Sequence, residues 1–404
     1  MQFCPHCMKP TTSAVCGHCG GNVNWKAPSS QLPVGTQLRG RSGDLYSLGA
    51  AKGQGGFGIT YAAMDMMKGH RVAIKEYFPS RCANRGQNFR VVPQSGQEQI
   101  YLGGKKSFLD EAMMLSKVAH LESVVRVKEN FEANGTAYLV MEYVDGIPLH
   151  EVLRRNGPMK ASELMPKLPK LLRDLESMHK ARVIHRDISP DNIILMPNGD
   201  LKLLDFGSAR SVQDGKSMTV MLKQGFSPVE QYQSKGQDAY TDVYALAATI
   251  YYCLTGVVPP SAVNRLDKDT LVPPNQSGAG LTPAQERALL DGMIVQPKLR
   301  PQSMAAFAHK LFPEHFSKVD PGPGPVPGLG PVPGPVPGPG PVPGPGPVPG
   351  PGPGPGPGPG PVPQPGGGFK VPEDKLPLVI GLGVLGAILS IGLLVGEILL
   401  FVNM

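Results

Sequence analysis

VIHRDISPDNIIL, residues 183–195, is the stretch on which the reading of this chain turns. It holds a carboxylate and a carboxamide five residues apart, Asp187 and Asn192. Asp187 is placed to accept or orient the proton of a hydroxyl, and Asn192 to bind magnesium. LKLLDFGSAR (201–210) follows, and its Asp205, thirteen residues beyond Asn192, offers a second metal-binding group at a strand end. Phosphoryl transfer asks little covalent chemistry of a protein. It asks for metal-holding groups, a base, and positive charge set around the γ-phosphate. His179 and His185 lie in apolar surroundings, and His185 reads as structural rather than as a proton carrier.

Upstream, GQGGFGITY (53–61) spells GxGxxG with Gly53, Gly55 and Gly58, and Gly56 adds a fourth glycine. Such a motif is weak alone, because a glycine-rich hairpin turn reads the same way. Its flanks YSLGAAK and ITYAAMDM alternate like strands, so the setting is strand-loop-strand and not the strand-loop-helix of a dinucleotide fold. A hairpin over phosphates needs backbone amides to come close, and side chains would obstruct them. RVAIKEY (71–77) then reads as an apolar strand ending near Lys75, a candidate contact for the α- and β-phosphates. In SFLDEAMMLSKV, Phe108, Ala112 and Leu115 mark the inward face of a helix, which selects Glu111 over Asp110 as the partner of Lys75. Each motif arises readily by chance, but all of them in this order do not.

Residues 45 to about 312 resemble a protein kinase catalytic domain, and are especially similar to bacterial eukaryotic-like serine/threonine kinases with IKEYFP and HRDISPDN. The resemblance implies an α+β, two-lobed fold, with a β-rich lobe holding ATP and a helical lobe holding protein substrate. It implies transfer of phosphate to serine or threonine, with autophosphorylation. YLVMEYVDG (138–146) falls at the hinge of such kinases, so Met141 would be the gatekeeper, and Glu142 and Tyr143 would offer main-chain contacts to adenine. GFSPVEQY (225–232) resembles the end of an activation segment, Asp242 would brace the catalytic loop, and Glu230 would pair with Arg300. Ser217 and Thr219 are candidate phosphosites, with Arg186, next to Asp187, as the cation that would read such a phosphate and ordinary loop hydroxyls as the alternative. Two departures stand out. The family's usual lysine two residues after the catalytic aspartate is Ser189, so another cation must substitute or turnover falls. The segment Pro79–Lys105 is also longer than in most kinases. The rivals are a nucleotide-binding pseudokinase scaffold, favoured only by Ser189, and a small-molecule phosphotransferase.

The flanks carry other signals. CPHC (4–7) and CGHC (16–19) set Cys4, Cys7, Cys16 and Cys19 in two knuckles, the pattern of a structural zinc site. Residues 1–30 are polar without an apolar core, so no export signal and a reducing compartment are expected, where clustered cysteines bind metal. Cys82 and Cys253 read as packing residues. The kinase domain is placed at 31–319. Residues 320–376 are a Pro/Gly linker, since proline at alternate positions denies the backbone its donors. LVIGLGVLGAILSIGLLVG (378–396) carries no charge, and its nineteen residues reach roughly 28 Å, so residues 377–402 are read as a transmembrane helix. Lys370 and Lys375 precede it, which places the kinase in the cytoplasm with a single-pass anchor in the cell membrane. Gly392 and Gly396 form a GxxxG pair that suggests a homodimer. The net charge of +7 decides nothing, and no Lys/Arg run marks a nucleic-acid partner.

Overall fold

The computed structural model describes residues 2–204, 222–232 and 236–316, all in one compact unit. The chain starts with two short paired strands, β1 (Gln2–Phe3) and β2 (Pro10–Thr11). A six-stranded antiparallel sheet follows, built from β3 (Gln37–Arg39), β4 (Leu45–Gln54), β5 (Gly58–Asp65), β6 (His70–Tyr77), β9 (Val127–Ala133) and β10 (Thr136–Glu142). Its spatial order is β3-β4-β5-β6-β10-β9, every neighbour antiparallel. Between β6 and β9 the chain makes a small hairpin, β7 (Ala83–Arg85) with β8 (Val91–Pro93), and then helix α1 (Glu98–Ser116). The long insertion expected over 79–105 is therefore shorter than its sequence suggests, because α1 already begins at Glu98. Tyr101, Phe108, Glu111, Ala112 and Leu115 are the buried residues of α1, and their spacing puts them on one face against β9 and β10.

The second lobe is helical. After the short β11 (Ile147–Pro148) come α2 (Leu149–Asn156), α3 (Ala161–Leu164) and α4 (Leu168–Lys180). β12 (Ile193–Leu195) and β13 (Leu201–Leu203) join β11 in a three-stranded sheet. Then follow α5 (Val229–Tyr232), α6 (Ala239–Thr255), α7 (Ala262–Asp267), α8 (Pro283–Gly292) and α9 (Met304–Leu311). On α4, Leu168, Leu171, Leu172, Leu175 and Met178 recur at helical spacing and are all buried. Each such side chain contributes about 1.5–3 kcal/mol by leaving water.

Helix α6 organises this lobe. Asp238 and Thr241 form a reciprocal capping box at its start, and Gly256 ends it in the left-handed region at φ 71°. It is apolar nearly all round and buried along most of its length, as a central helix should be. Asp242 is the charged exception in its first turn. Among the described residues no helix is long and apolar enough to cross a membrane. The apolar segment 378–396, and with it the anchor and its GxxxG pair, lies outside the described residues, as does the linker.

Candidate active site

Asp242 accounts for the shape of the catalytic loop. Its Oδ2 accepts from the His185 amide at 2.8 Å and lies 2.8 Å from His179 Nε2, while its Oδ1 accepts from the Arg186 amide at 2.8 Å. Burial pushes this carboxyl upward, yet the hydrogen bond to His179 and the charge of both histidines hold it below the usual carboxylate range. Arg186 sits at φ 65°, a conformation that costs a non-glycine residue of order 1–3 kcal/mol, and the bond to Asp242 offsets it. His185 turns its Nε2 to the Leu204 carbonyl at 2.8 Å and so has a structural task. The loop is thus tied to α6 on one side and to the strand end before residue 205 on the other.

This frame sets Asp187 beside Asn192. The Asn192 Nδ2 donates to Asp187 Oδ2 and to the Asp187 carbonyl, both at 2.8 Å. With its nitrogen engaged, the amide keeps its carbonyl oxygen for a hard cation. Leu204, next in sequence to Asp205, donates its amide to Asn192 O at 2.7 Å. Asp205 itself lies outside the described residues, as do Ser217 and Thr219.

On the nucleotide side, β4 and β5 meet at the glycine loop. A Cβ at Gly58 would come 2.5 Å from the Glu76 backbone carbonyl, so only glycine lets β5 run this close to β6 where it leaves the loop. At Gly53 and Gly55 a Cβ would meet nothing within 4 Å. The protein's own packing does not demand glycine there, and the open space suits close approach by another molecule. Gly56 lies in the bend between the strands. Lys75, on β6 between Thr60 and Leu139 of the neighbouring strands, is buried, and Glu111 is buried on α1. Met141 and Glu142 end β10. The Glu142 amide donates to Arg126 O at 2.9 Å, and its carboxylate takes Lys202 Nζ at 2.6 Å and the Arg126 amide at 2.8 Å. Any contact of Glu142 with adenine therefore falls to its carbonyl. The Tyr143 ring lies under the Arg71 guanidinium, 4.7 Å away.

The Glu230–Arg300 pair expected from sequence is formed, with Arg300 Nη1 2.8 Å from Glu230 Oε1 and both side chains buried. Thr241 Oγ1 also donates to Glu230 at 3.0 Å, and Gln231 Nε2 reaches the Arg186 carbonyl at 2.6 Å. The segment carrying α5 is thereby joined to the catalytic loop. Sequence reasoning missed Lys223, whose Nζ stands 3.1 Å from Asp187 Oδ1 and 2.8 Å from Ser189 Oγ. The missing lysine at Ser189 was the signal that a cation had to come from elsewhere.

At the N-terminus the four thiols of Cys4, Cys7, Cys16 and Cys19 lie within 4.8 Å of one another. Cys4 and Cys19 sulfurs are 3.6 Å apart, and those of Cys7 and Cys16 3.7 Å. Four sulfurs at about 2.3 Å from a common tetrahedral ion are about 3.8 Å apart, so the set fits a closed metal site. The two knuckles repeat one turn, in which Met8 N bonds Cys4 O and Gly20 N bonds Cys16 O, each at 2.8 Å. Both Met8 (φ 55°) and Gly20 (φ 71°) are left-handed. His6 stacks edge-on with Trp25 at 5.6 Å, in keeping with a packing role for both. The knuckles are also docked on the sheet, which the sequence did not reveal. Pro5 O accepts from the Ala50 amide at 2.7 Å, and Met8 packs on Ala62, Met64 and Tyr143. A Cβ at Gly49 would come 2.3 Å from Pro5 O and 2.5 Å from Met8 Sδ, so the contact requires glycine at that position.

A family model of the protein kinase domain matches residues 46–312, about two thirds of the chain, and the chain belongs to that family. Among curated relatives, a probable serine/threonine-protein kinase of Corynebacterium efficiens is 32% identical over 288 residues, covering 66% of this chain and 41% of that protein. Serine/threonine-protein kinase B of Synechocystis sp. is 30% identical over 269 residues, or 63% of this chain and 42% of the relative. The chain thus matches less than half the length of these relatives. Among solved structures, PpkA-294 in its apo form is similar with a TM-score of 0.62 at 31% identity, over 70% of this chain and 100% of that one.

Proposed function

We propose that this chain transfers the γ-phosphate of ATP to serine or threonine hydroxyls of proteins, its own included. The observation that carries the reading is the bonded pair Asp187 and Asn192, just before β12 on the loop whose His185 and Arg186 amides Asp242 holds. Asp187 takes the hydroxyl proton, Lys75 holds the α- and β-phosphates, and Asn192 with Asp205 holds the metal. Bound Mg²⁺ would neutralise the phosphate oxygens and lower the cost of gathering charge there. The full chain, given γ-labelled ATP and a generic basic protein, is expected to place label on serine or threonine after acid hydrolysis. Nucleotide binding without any label on either protein would instead support the scaffold alternative.

The four-cysteine cluster is read as a zinc site, since four thiolates in a closed tetrahedron suit Zn²⁺ and leave no position open for catalysis. One zinc per chain is the expected content. Chelation is expected to speed hydrogen exchange at the Ala50 amide, because the Pro5 carbonyl that covers it belongs to the first knuckle. Exchange unchanged after full metal removal would refute the idea that metal holds the knuckles to the sheet. The uncharged stretch 378–396 supports a single-pass membrane anchor with the kinase on the cytoplasmic side, and its GxxxG pair supports dimer contact.

A further inference from the structure

We propose that Lys223 is a catalytic residue of this kinase, supplying from the far end of the activation segment the positive charge that position 189 lacks. The proposal rests on the kinase reading and deepens it. Three observations carry it. The first is position, since the ammonium lies 3.1 Å from Asp187 Oδ1 and 2.8 Å from Ser189 Oγ. Asp187 therefore has each carboxylate oxygen engaged, Oδ2 by Asn192 and Oδ1 by Lys223. The reacting hydroxyl must approach this same carboxylate, so the cation stands where phosphate and acceptor meet.

The second observation is the donor count. A lysine has three N–H groups. One is directed to Ser189 Oγ, the ammonium pairs by charge with Asp187 Oδ1 at 3.1 Å, and Asp191 Oδ2, at 3.8 Å, is beyond hydrogen-bond length. Among the described residues Ser189 is its one hydrogen-bond acceptor, which leaves donor capacity for an incoming oxygen, and the side chain keeps 30% of its surface exposed. The third is rigidity. Lys223 opens a tight turn in which its carbonyl accepts from the Phe226 and Ser227 amides, each at 3.0 Å, and its own amide donates to Ser227 Oγ at 3.2 Å. Gly225, at φ 84°, lies against the Pro259 carbonyl, and Phe226 meets Tyr252 of α6 edge-on at 5.8 Å. The lysine is held by the packed lobe and is not a loose surface charge. Ser189 is fully buried and acts as its hydrogen-bond acceptor, so the short hydroxyl and the distant lysine function as one pair.

In the reaction the acceptor hydroxyl oxygen bonds to the γ-phosphorus while the bond from that phosphorus to the β–γ bridging oxygen breaks. ADP leaves with the electron pair, and the hydroxyl proton passes to Asp187. The Lys223 ammonium donates to a γ-phosphate oxygen as charge is redistributed, a fixed donor aimed at the transferring group.

The test uses the full chain in four forms, wild type, Lys223→Ala, Lys223→Arg, and the exchange Ser189→Lys/Lys223→Ser. Lys223→Ala is expected to lower kcat by about 10²–10³-fold, the usual loss when one such donor goes, with KM for ATP and the melting temperature little changed. Lys223→Arg keeps the charge and is expected to retain part of that loss, and the exchange variant to recover at least ~10-fold over Lys223→Ala. A Lys223→Ala protein within threefold of wild-type kcat, as a rough limit, overturns the proposal. So does a loss that appears equally in melting temperature and nucleotide affinity, which marks a structural residue. An exchange variant that melts normally without recovering kcat overturns it as well. A wild type that binds ATP without turnover brings down the kinase reading and this proposal together.

Discussion

Arg85→Ala is expected to destabilise the sheet-bearing lobe by about 3–5 kcal/mol, the cost of leaving a buried charge without its partner. Glu76, in the middle of IKEYFP, is fully buried, and both its oxygens are taken. Oε1 receives Arg85 Nη1 at 2.7 Å and the Tyr138 hydroxyl at 2.9 Å, while Oε2 receives Arg85 Nη2 at 2.7 Å and the Tyr61 hydroxyl at 3.1 Å. Arg85 also donates to Ser30 O at 2.9 Å and lies 4.7 Å above the Phe78 ring. Burial, with the adjacent Glu76 charge, raises both tyrosines far above the ordinary phenol range, so they remain donors at any working pH. The arginine thus joins β7, β6 and the segment before β3. Adding Glu76→Gln to Arg85→Ala is expected to return part of the loss, because the neutral amide does not need the guanidinium. Thermal or urea melts of the two variants decide the matter. A drop below about 1 kcal/mol for Arg85→Ala would show that the buried pair contributes no more than a surface ion pair does.

Asp187→Asn carries the largest expected effect on activity, a fall in kcat of about 10²–10⁴-fold with nucleotide affinity kept. Asparagine preserves the shape and an oxygen for Asn192 or Lys223, so the loop stays in place on Asp242. What goes is the carboxylate proposed to take the proton. Single-turnover transfer measured beside a nucleotide-binding titration separates the two. A variant that transfers phosphate at near wild-type speed would remove Asp187 from the chemistry.

Much of this site was legible in the sequence because its parts are local. Asp187 and Asn192 are five residues apart on one loop, Lys75 follows an apolar strand, and the inward face of α1 is marked by its own spacing. Asp242 and Glu230 with Arg300 needed the family resemblance, since nothing in their surroundings says that residues 70 positions apart will meet. Lys223, the Glu76–Arg85 network and the docking of the knuckles escaped. Each depends on a contact between segments whose order in the chain carries no distance information. The hairpin of β7 and β8 read only as extra length, and its reason, the seat for Arg85, appears once the fold brings it over Glu76. Gly49 was one glycine among many until Met8 and Pro5 occupied the space beside it.

The missing side chain at Gly49 gives the cysteine knuckle a mechanical meaning. β4 and β5 are the two rails of the phosphate loop, and Met8 and Pro5 grip both of them, through the Ala50 amide and the Ala62–Met64 face. The knuckle is thus bolted across both rails at once, a strut under the phosphate loop and not a tail hung beside it.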